Sequence, residues 1–320
     1  MTELSHAIAA QGDAIEAMLA ADLSTAVQRL APARRIWLIG TGTSQHAAEL
    51  GAWMFARGPR AVRWSSSASF AWDEQLELGA DDAVVVISHT AQTAFSARAR
   101  ARAATAGARL VSITAQGAGW PEAIETTPRE RSETYTASYL AALVVLARLS
   151  LELSQSTLDP DRLGGVAQAV RCAALEPVLA GLQDRRLLVI AGVGPGAITA
   201  REGALKLREA ARMAAEGYEA EYLLHGSAVP LGPDDALLAL APGHDRFDLL
   251  NRLAGAAARE GLTVATIDAP ADLDPVLAQL PLTVALQVLA AQIAEARGAD
   301  PDTVITGAWA DDGLWRVGSP

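Results

Sequence analysis

The chain has 320 residues, 51% of them hydrophobic, which excludes disorder and leaves room for two ordinary domains, each with its own core. The net charge is −11, with acids and bases mixed and no block of like charge, which argues against a nucleic-acid surface. A single cysteine excludes an intramolecular disulfide and a cysteine metal cluster.

Residues 1–19 carry Glu3, Asp13 and Glu16 and lack the apolar stretch of a leader peptide. Glu3 to Leu30 has helical spacing of alanine and leucine, with Asp22-Leu23-Ser24 as a cap between two helices. Arg35 to Gly40 is a short apolar run ending in glycine, the pattern of a buried parallel strand. Gly40-Thr41-Gly42-Thr43-Ser44 is a turn, and Gln45 to Ala56 a helix. Ala83 to Ile87 and Leu110 to Thr114 are two further strands, with a helix from Thr93 to Ala106 between them. Tyr135 to Leu153 is a long apolar helix.

The order then restarts about 150 residues later. Arg186 to Gly192 repeats the strand-to-glycine step. Ala197 to Ala214 is a helix, Ala236 to Leu240 a strand, Arg246 to Glu260 a helix and Thr263 to Ile267 a strand. Pro281 to Arg297 mirrors the long helix. The fold class is therefore α/β, a duplicated parallel-sheet domain with helices on both faces in three flavodoxin-like layers. The expected parts are N-terminal helices over 1–30, a first domain over 31–155, a second over 175–300 and a polar tail over 301–320. Cys172 is expected in the core. No apolar run is long enough for a membrane span.

Ligands of open α/β sheets sit beyond the carboxyl ends of the strands. Hydroxyls gather at such ends here: Thr43 and Ser44, then Ser88, His89, Thr90 and Thr93, then Thr134 before the long helix. Hydroxyls and free amides at a helix N-terminus suit a phosphate, and they equally suit helix capping. Glu202, Lys206 and Glu209 share one helix face, which spacing alone reads as a solvated face with one ion pair. His225-Gly226 lies downstream, and a lone histidine is often structural. Gly192-Val193-Gly194-Pro195-Gly196 has the outline of a dinucleotide loop, but it lacks the third glycine and loses a donor at Pro195.

Together these segments resemble the SIS (sugar isomerase) family, in particular the isomerase half of glucosamine-6-phosphate synthase, amino-sugar-6-phosphate deaminases and fructosamine-6-phosphate deglycases. The resemblance rests on Glu202-Gly-Ala-Leu-Lys-Leu-Arg-Glu209 against the family's EGALKLKE, and on His225-Gly226 at the family's distance. It implies that Thr43 and Ser44 hold a sugar phosphate and that Ser88, His89, Thr90 and Thr93 cradle it. Thr134 takes the place of a serine before the long helix. Glu209 falls on the base that moves a proton between C1 and C2, Lys206 on its helper, and His225 on a ring-opening group lent by a partner subunit.

Such chemistry needs a base beside a carbonyl and an acid at the ring oxygen, and these residue types supply both. Departures are Ala91 where the phosphate loop has glycine, His89 where it has Gln or Arg, no glutaminase segment, and no lysine after Lys206 to match the family's tail lysine. The expectation is a cytoplasmic homodimer with shared sites, acting on a hexose or amino-sugar 6-phosphate with no metal or redox cofactor. A sugar-phosphate sensor without catalysis is the alternative.

Overall fold

The computed structural model describes residues 2–175 and 181–320. Its elements in chain order are α1 (Glu3–Ala9), α2 (Gln11–Ala20), α3 (Ser24–Leu30), β1 (Arg35–Gly40), α4 (Thr43–Met54), β2 (Ala61–Ser66), α5 (Ser67–Trp72), β3 (Asp82–Ile87), α6 (Ala94–Thr105), β4 (Arg109–Thr114), β5 (Ala123–Glu125) and α7 (Ala137–Glu152). They continue with α8 (Pro160–Leu163), α9 (Val166–Ala173), β6 (Leu188–Gly192), α10 (Pro195–Ala211), β7 (Ala215–Glu219), α11 (Ala220–Tyr222), β8 (Ala236–Leu240), α12 (Leu249–Arg259), β9 (Thr263–Ile267), α13 (Gln279–Arg297) and α14 (Asp312–Arg316). Contacts divide the chain into two compact units. The first holds residues 13–130, 137–160 and 305–320, the second residues 1–12, 131–136 and 161–304.

The first unit is built on a parallel five-stranded sheet in the order β2-β1-β3-β4-β5. Side chains alternate across a strand, so one face of β1 and β3 presents Trp37, Ile39, Val84 and Val86. These pack on Phe70 of α5 and on Ala99 and Ala103 of α6. Ile36, Leu38 and Val85 point to the opposite face and are as deeply buried. There α4 lies on β1 and against α7, whose near-continuous apolar sequence matches burial almost all round.

The second unit repeats the scheme with four parallel strands in the order β7-β6-β8-β9. Val189, Ala191, Leu237 and Ala239 face Leu250 and Leu253 of α12, while α10 covers β6 and β7 and packs along α13. The repetition extends to backbone detail. A Cβ at Gly40 would strike the carbonyl of Ser44, and one at Gly192 the carbonyl of Gly196. Both strands thus run into their following helices so closely that only glycine fits. The residue before each helix is again glycine, with φ 58° and ψ −128° at Gly42 and φ 55° and ψ −122° at Gly194.

Three local expectations change. β2 carries Arg63 and Trp64 on a largely exposed sheet edge, so it has no apolar run to announce it. β7 reads Ala-Glu-Gly-Tyr-Glu and is hidden for the same reason. Cys172, expected in the core, is exposed on α9. The buried stripe of that helix is Val166, Ala167 and Val170, and Cys172 lies off it.

Candidate active site

In the first unit the expected hydroxyls lie at the carboxyl ends of β1 and β3. Thr43 and Ser44 open α4, and the Gln45 and His46 amides turn back onto the Gly42 carbonyl at 2.9 and 3.1 Å. Ser88 follows β3. Its amide donates to the Ile113 carbonyl at 3.0 Å, but its hydroxyl, in a residue 3% exposed, has no hydrogen-bond partner among the described residues. A buried hydroxyl left in that state is costly, so it marks a place for a ligand or a water. Thr90 Oγ1 accepts from the Gln92 amide at 3.2 Å. Thr93 is the N-cap of α6, yet its hydroxyl caps nothing. Ala91 takes φ 57°, the left-handed region where the family motif has glycine.

His89 differs from its neighbours. Its Nε2 accepts from the Glu130 amide at 3.0 Å, so the ring is engaged in holding the chain rather than open toward an anion. Burial, aided by Arg129, holds it below the ordinary histidine pKa, with Glu130 pulling the other way. Glu130 in turn caps α7, its carboxylate accepting from the Ala137 and Ser138 amides at 3.3 and 2.9 Å. This cap acts from seven residues upstream, outside any local capping motif, so the sequence carried no signal for it.

In the second unit α10 presents Glu202, Lys206 and Glu209. The solvated-face reading is overturned, because α13 covers this helix. Lys206 Nζ lies 2.6 Å from Glu209 and 3.4 Å from Glu202, with Lys206 and Glu202 fully buried and the Glu209 side chain 19% exposed. Burial pushes the Glu209 carboxyl above the usual glutamate range, Lys206 opposes this, and Glu202 adds to it. Lys206 is also the only lysine in the sequence, every other fixed cation being arginine, a compositional signal that spacing arguments miss.

The other expected residues are placed as follows. Thr134 lies in the second unit, 1% exposed, and its hydroxyl donates to the Pro301 carbonyl at 2.8 Å. His225 is 68% exposed, on a kinked, non-helical turn after α11, with Glu221 3.6 Å from its Nε2. Tyr222, Leu224 and Val229 around it are exposed too. Glu219 was missed because β7 was missed; its carboxylate accepts from the Gly194 amide at 3.3 Å, in the loop matching Gly42 of the first unit. A cavity of about 600 Å3 in the second unit is lined by Ile8, Val170, Arg171, Val288 and Glu295, and by none of the expected site residues. Among the described residues no cluster of His, Cys, Asp or Glu is arranged to hold a metal ion, and no helix is long and apolar enough to cross a membrane.

The SIS domain profile matches residues 29–121 and 181–272, more than half of the chain and one segment on each sheet. The chain belongs to the SIS domain family. Among curated SIS relatives, it is 27% identical over 314 residues to the glutamine–fructose-6-phosphate aminotransferase (isomerizing) of Thermococcus kodakarensis, covering 88% of this chain and 52% of the relative. It is 29% identical to that of Gloeobacter violaceus, covering 84% and 50%. The chain therefore spans about half the length of these relatives.

Solved structures give the same SIS fold. Glucosamine-6-phosphate deaminase of Thermotoga maritima superimposes with a TM-score of 0.78 at 18% identity, covering 95% of this chain and 97% of the other. Tagatose-6-phosphate ketose/aldose isomerase of Escherichia coli gives 0.76 at 16% identity, covering 95% and 96%.

Proposed function

We propose that this SIS protein is a cytoplasmic phosphosugar isomerase-type enzyme acting on a hexose or amino-sugar 6-phosphate, either by aldose–ketose isomerisation or by a deamination or deglycation built on it. Glu209 is the observation that carries the reading. It is a carboxyl group that reaches the surface from a buried cluster, held above the ordinary glutamate pKa and still paired with a buried ammonium. A base so placed has its proton affinity moved toward neutrality, where proton transfer from carbon is most effective.

In this reading the Ser88 hydroxyl, the amides at the start of α6 and the Thr43–Ser44 turn take the phosphate. Thr90 and Thr93 add hydroxyls. Glu209 removes the proton beside the carbonyl and returns it to the adjacent carbon. Lys206 stabilises the negative charge that develops on oxygen. His225 serves ring opening from a partner chain.

Solvent-exchange NMR tests the proposal. The wild type, incubated in deuterated buffer with a panel of hexose, hexosamine and fructosamine 6-phosphates, should place deuterium at C1 or C2 of at least one of them. Glu209→Gln should bind the same sugar within about tenfold and show no exchange. Tight binding with no exchange in the wild type would instead mark a sugar-phosphate sensor.

A further inference from the structure

The loop from Ser88 to Thr93 leaves β3 and must present its hydroxyls in one arrangement while holding Ala91 in a left-handed conformation. Such a loop depends on the tethers at its flanks. His89 supplies two of them. Its carbonyl accepts from the Ala115 amide at 2.9 Å, and its Nε2 accepts from the Glu130 amide at 3.0 Å. The Glu130 carboxylate then holds the first two amides of α7. Loop, residue 130 and helix start thus form one run of hydrogen bonds, and the imidazole is the joint between the loop and the rest.

We infer that His89 is a positioning residue: its neutral ring latches the anion-binding loop to Glu130, and protonation of the ring opens the latch and weakens anion binding. The inference rests on the phosphate reading of this loop and adds its regulation. The reason lies in donor and acceptor roles. Nε2 can accept from an amide only while it carries no proton. Once protonated it becomes a donor facing a donor. The resulting imidazolium also attracts the Glu130 carboxylate away from the start of α7. Arg129 and Glu130 are the charged groups that act on the ring, one opposing protonation and the other favouring it.

A histidine that touched the phosphate would behave in the opposite sense, because its positive charge would strengthen anion binding in acid. The direction of the pH dependence therefore separates the two roles. Sulfate is the suitable probe, since its charge stays constant across this range.

The experiment measures sulfate affinity by amide chemical shifts of residues 88–93 in the full-length chain at about pH 8 and about pH 5. It compares the wild type with His89→Gln, whose amide oxygen can accept from Glu130 at either pH, and with His89→Ala, which cannot. The wild type should lose at least about fivefold in affinity on acidification. His89→Gln should match the wild type at the higher pH and lose that drop, so titration of other groups cancels in the comparison. His89→Ala should bind more weakly at both.

Protection of the Glu130 amide from hydrogen exchange gives a ligand-free reading. It should fall on acidification in the wild type and hold in His89→Gln. Affinity that rises in acid, a His89→Gln curve that follows the wild type, or constant Glu130 protection would overturn the inference. Absence of sulfate shifts in residues 88–93 at the higher pH, with Glu130 protection behaving as stated, would instead sink the phosphate reading and leave the latch standing.

Discussion

Lys206 and Ala91 are individual residues at which the fold bears a cost. A fully buried ammonium between two carboxylates has lost its water, and only close pairing makes that tolerable. Glu209 carries the consequence. Its folded-state pKa is raised, so the folded chain holds this proton more tightly than the unfolded chain does. That contribution to stability is fully present below the ordinary value of 4.5 and is lost as pH rises through the raised value. Glu209→Gln removes the titration. Its urea midpoint should therefore gain on the wild type as pH increases through that window; a gain on acidification instead would mean that Lys206 outweighs burial. Ala91 makes a second case. Its left-handed backbone costs about 1–2 kcal/mol, whereas glycine there forfeits about 0.4–1 kcal/mol through the unfolded chain. Ala91→Gly should thus stabilise by up to about 1.6 kcal/mol in denaturant titration.

Between elements, the contact of α10 with α13 sets the charged cluster. A Cβ at Gly203 would run into the side chain of Leu286, which is fully buried on α13. Gly203 therefore lets the two helices approach at the level of Glu202 and Lys206, and that closeness is what dries the cluster. Gly203→Ala should destabilise by about 1–3 kcal/mol through overpacking. Leu286→Ala frees the space at the cost of a cavity. Added to Gly203→Ala it should cost less than it does alone, a coupling that a double-mutant cycle in urea would read. Strict additivity would show that the helices separate without strain.

For the whole chain, the expected dimer is tested at His225 and its surroundings. His225 is exposed, and so are Tyr222, Leu224 and Val229 near it in sequence, a surface that a second copy would cover in the proposed dimer. If His225 serves the site of a second copy, Glu209→Gln and His225→Ala chains should complement each other. Each mixed dimer would keep one site with both residues intact, so random mixing should restore about one quarter of wild-type turnover. No restoration, with a monomeric mass by light scattering, would place both residues at work within one chain.

Much of this protein was legible in its residue order. Apolar runs announced β1, β3, β4, β6, β8 and β9, those of β1 and β6 ending in glycine; β1, β3, β6 and β8 are buried nearly throughout, which needs continuous apolar sequence. Their repetition at a fixed distance announced two parallel sheets. The run from Glu202 to Glu209 pointed to the family and to the charged helix. The edge strands β2, β5 and β7 were silent, because β5 is only three residues long, β2 is interrupted by Arg63, and β7 by Glu216 and Gly217. Periodicity likewise could not tell that the face bearing Lys206 is dry, because burial depends on what α13 brings against it, from some eighty residues away. Nor could it tell that the His89 ring accepts from the Glu130 amide, or that Cys172 faces water. A side chain's partner is chosen by which backbone the fold delivers beside it, and that contact is written nowhere in the local sequence.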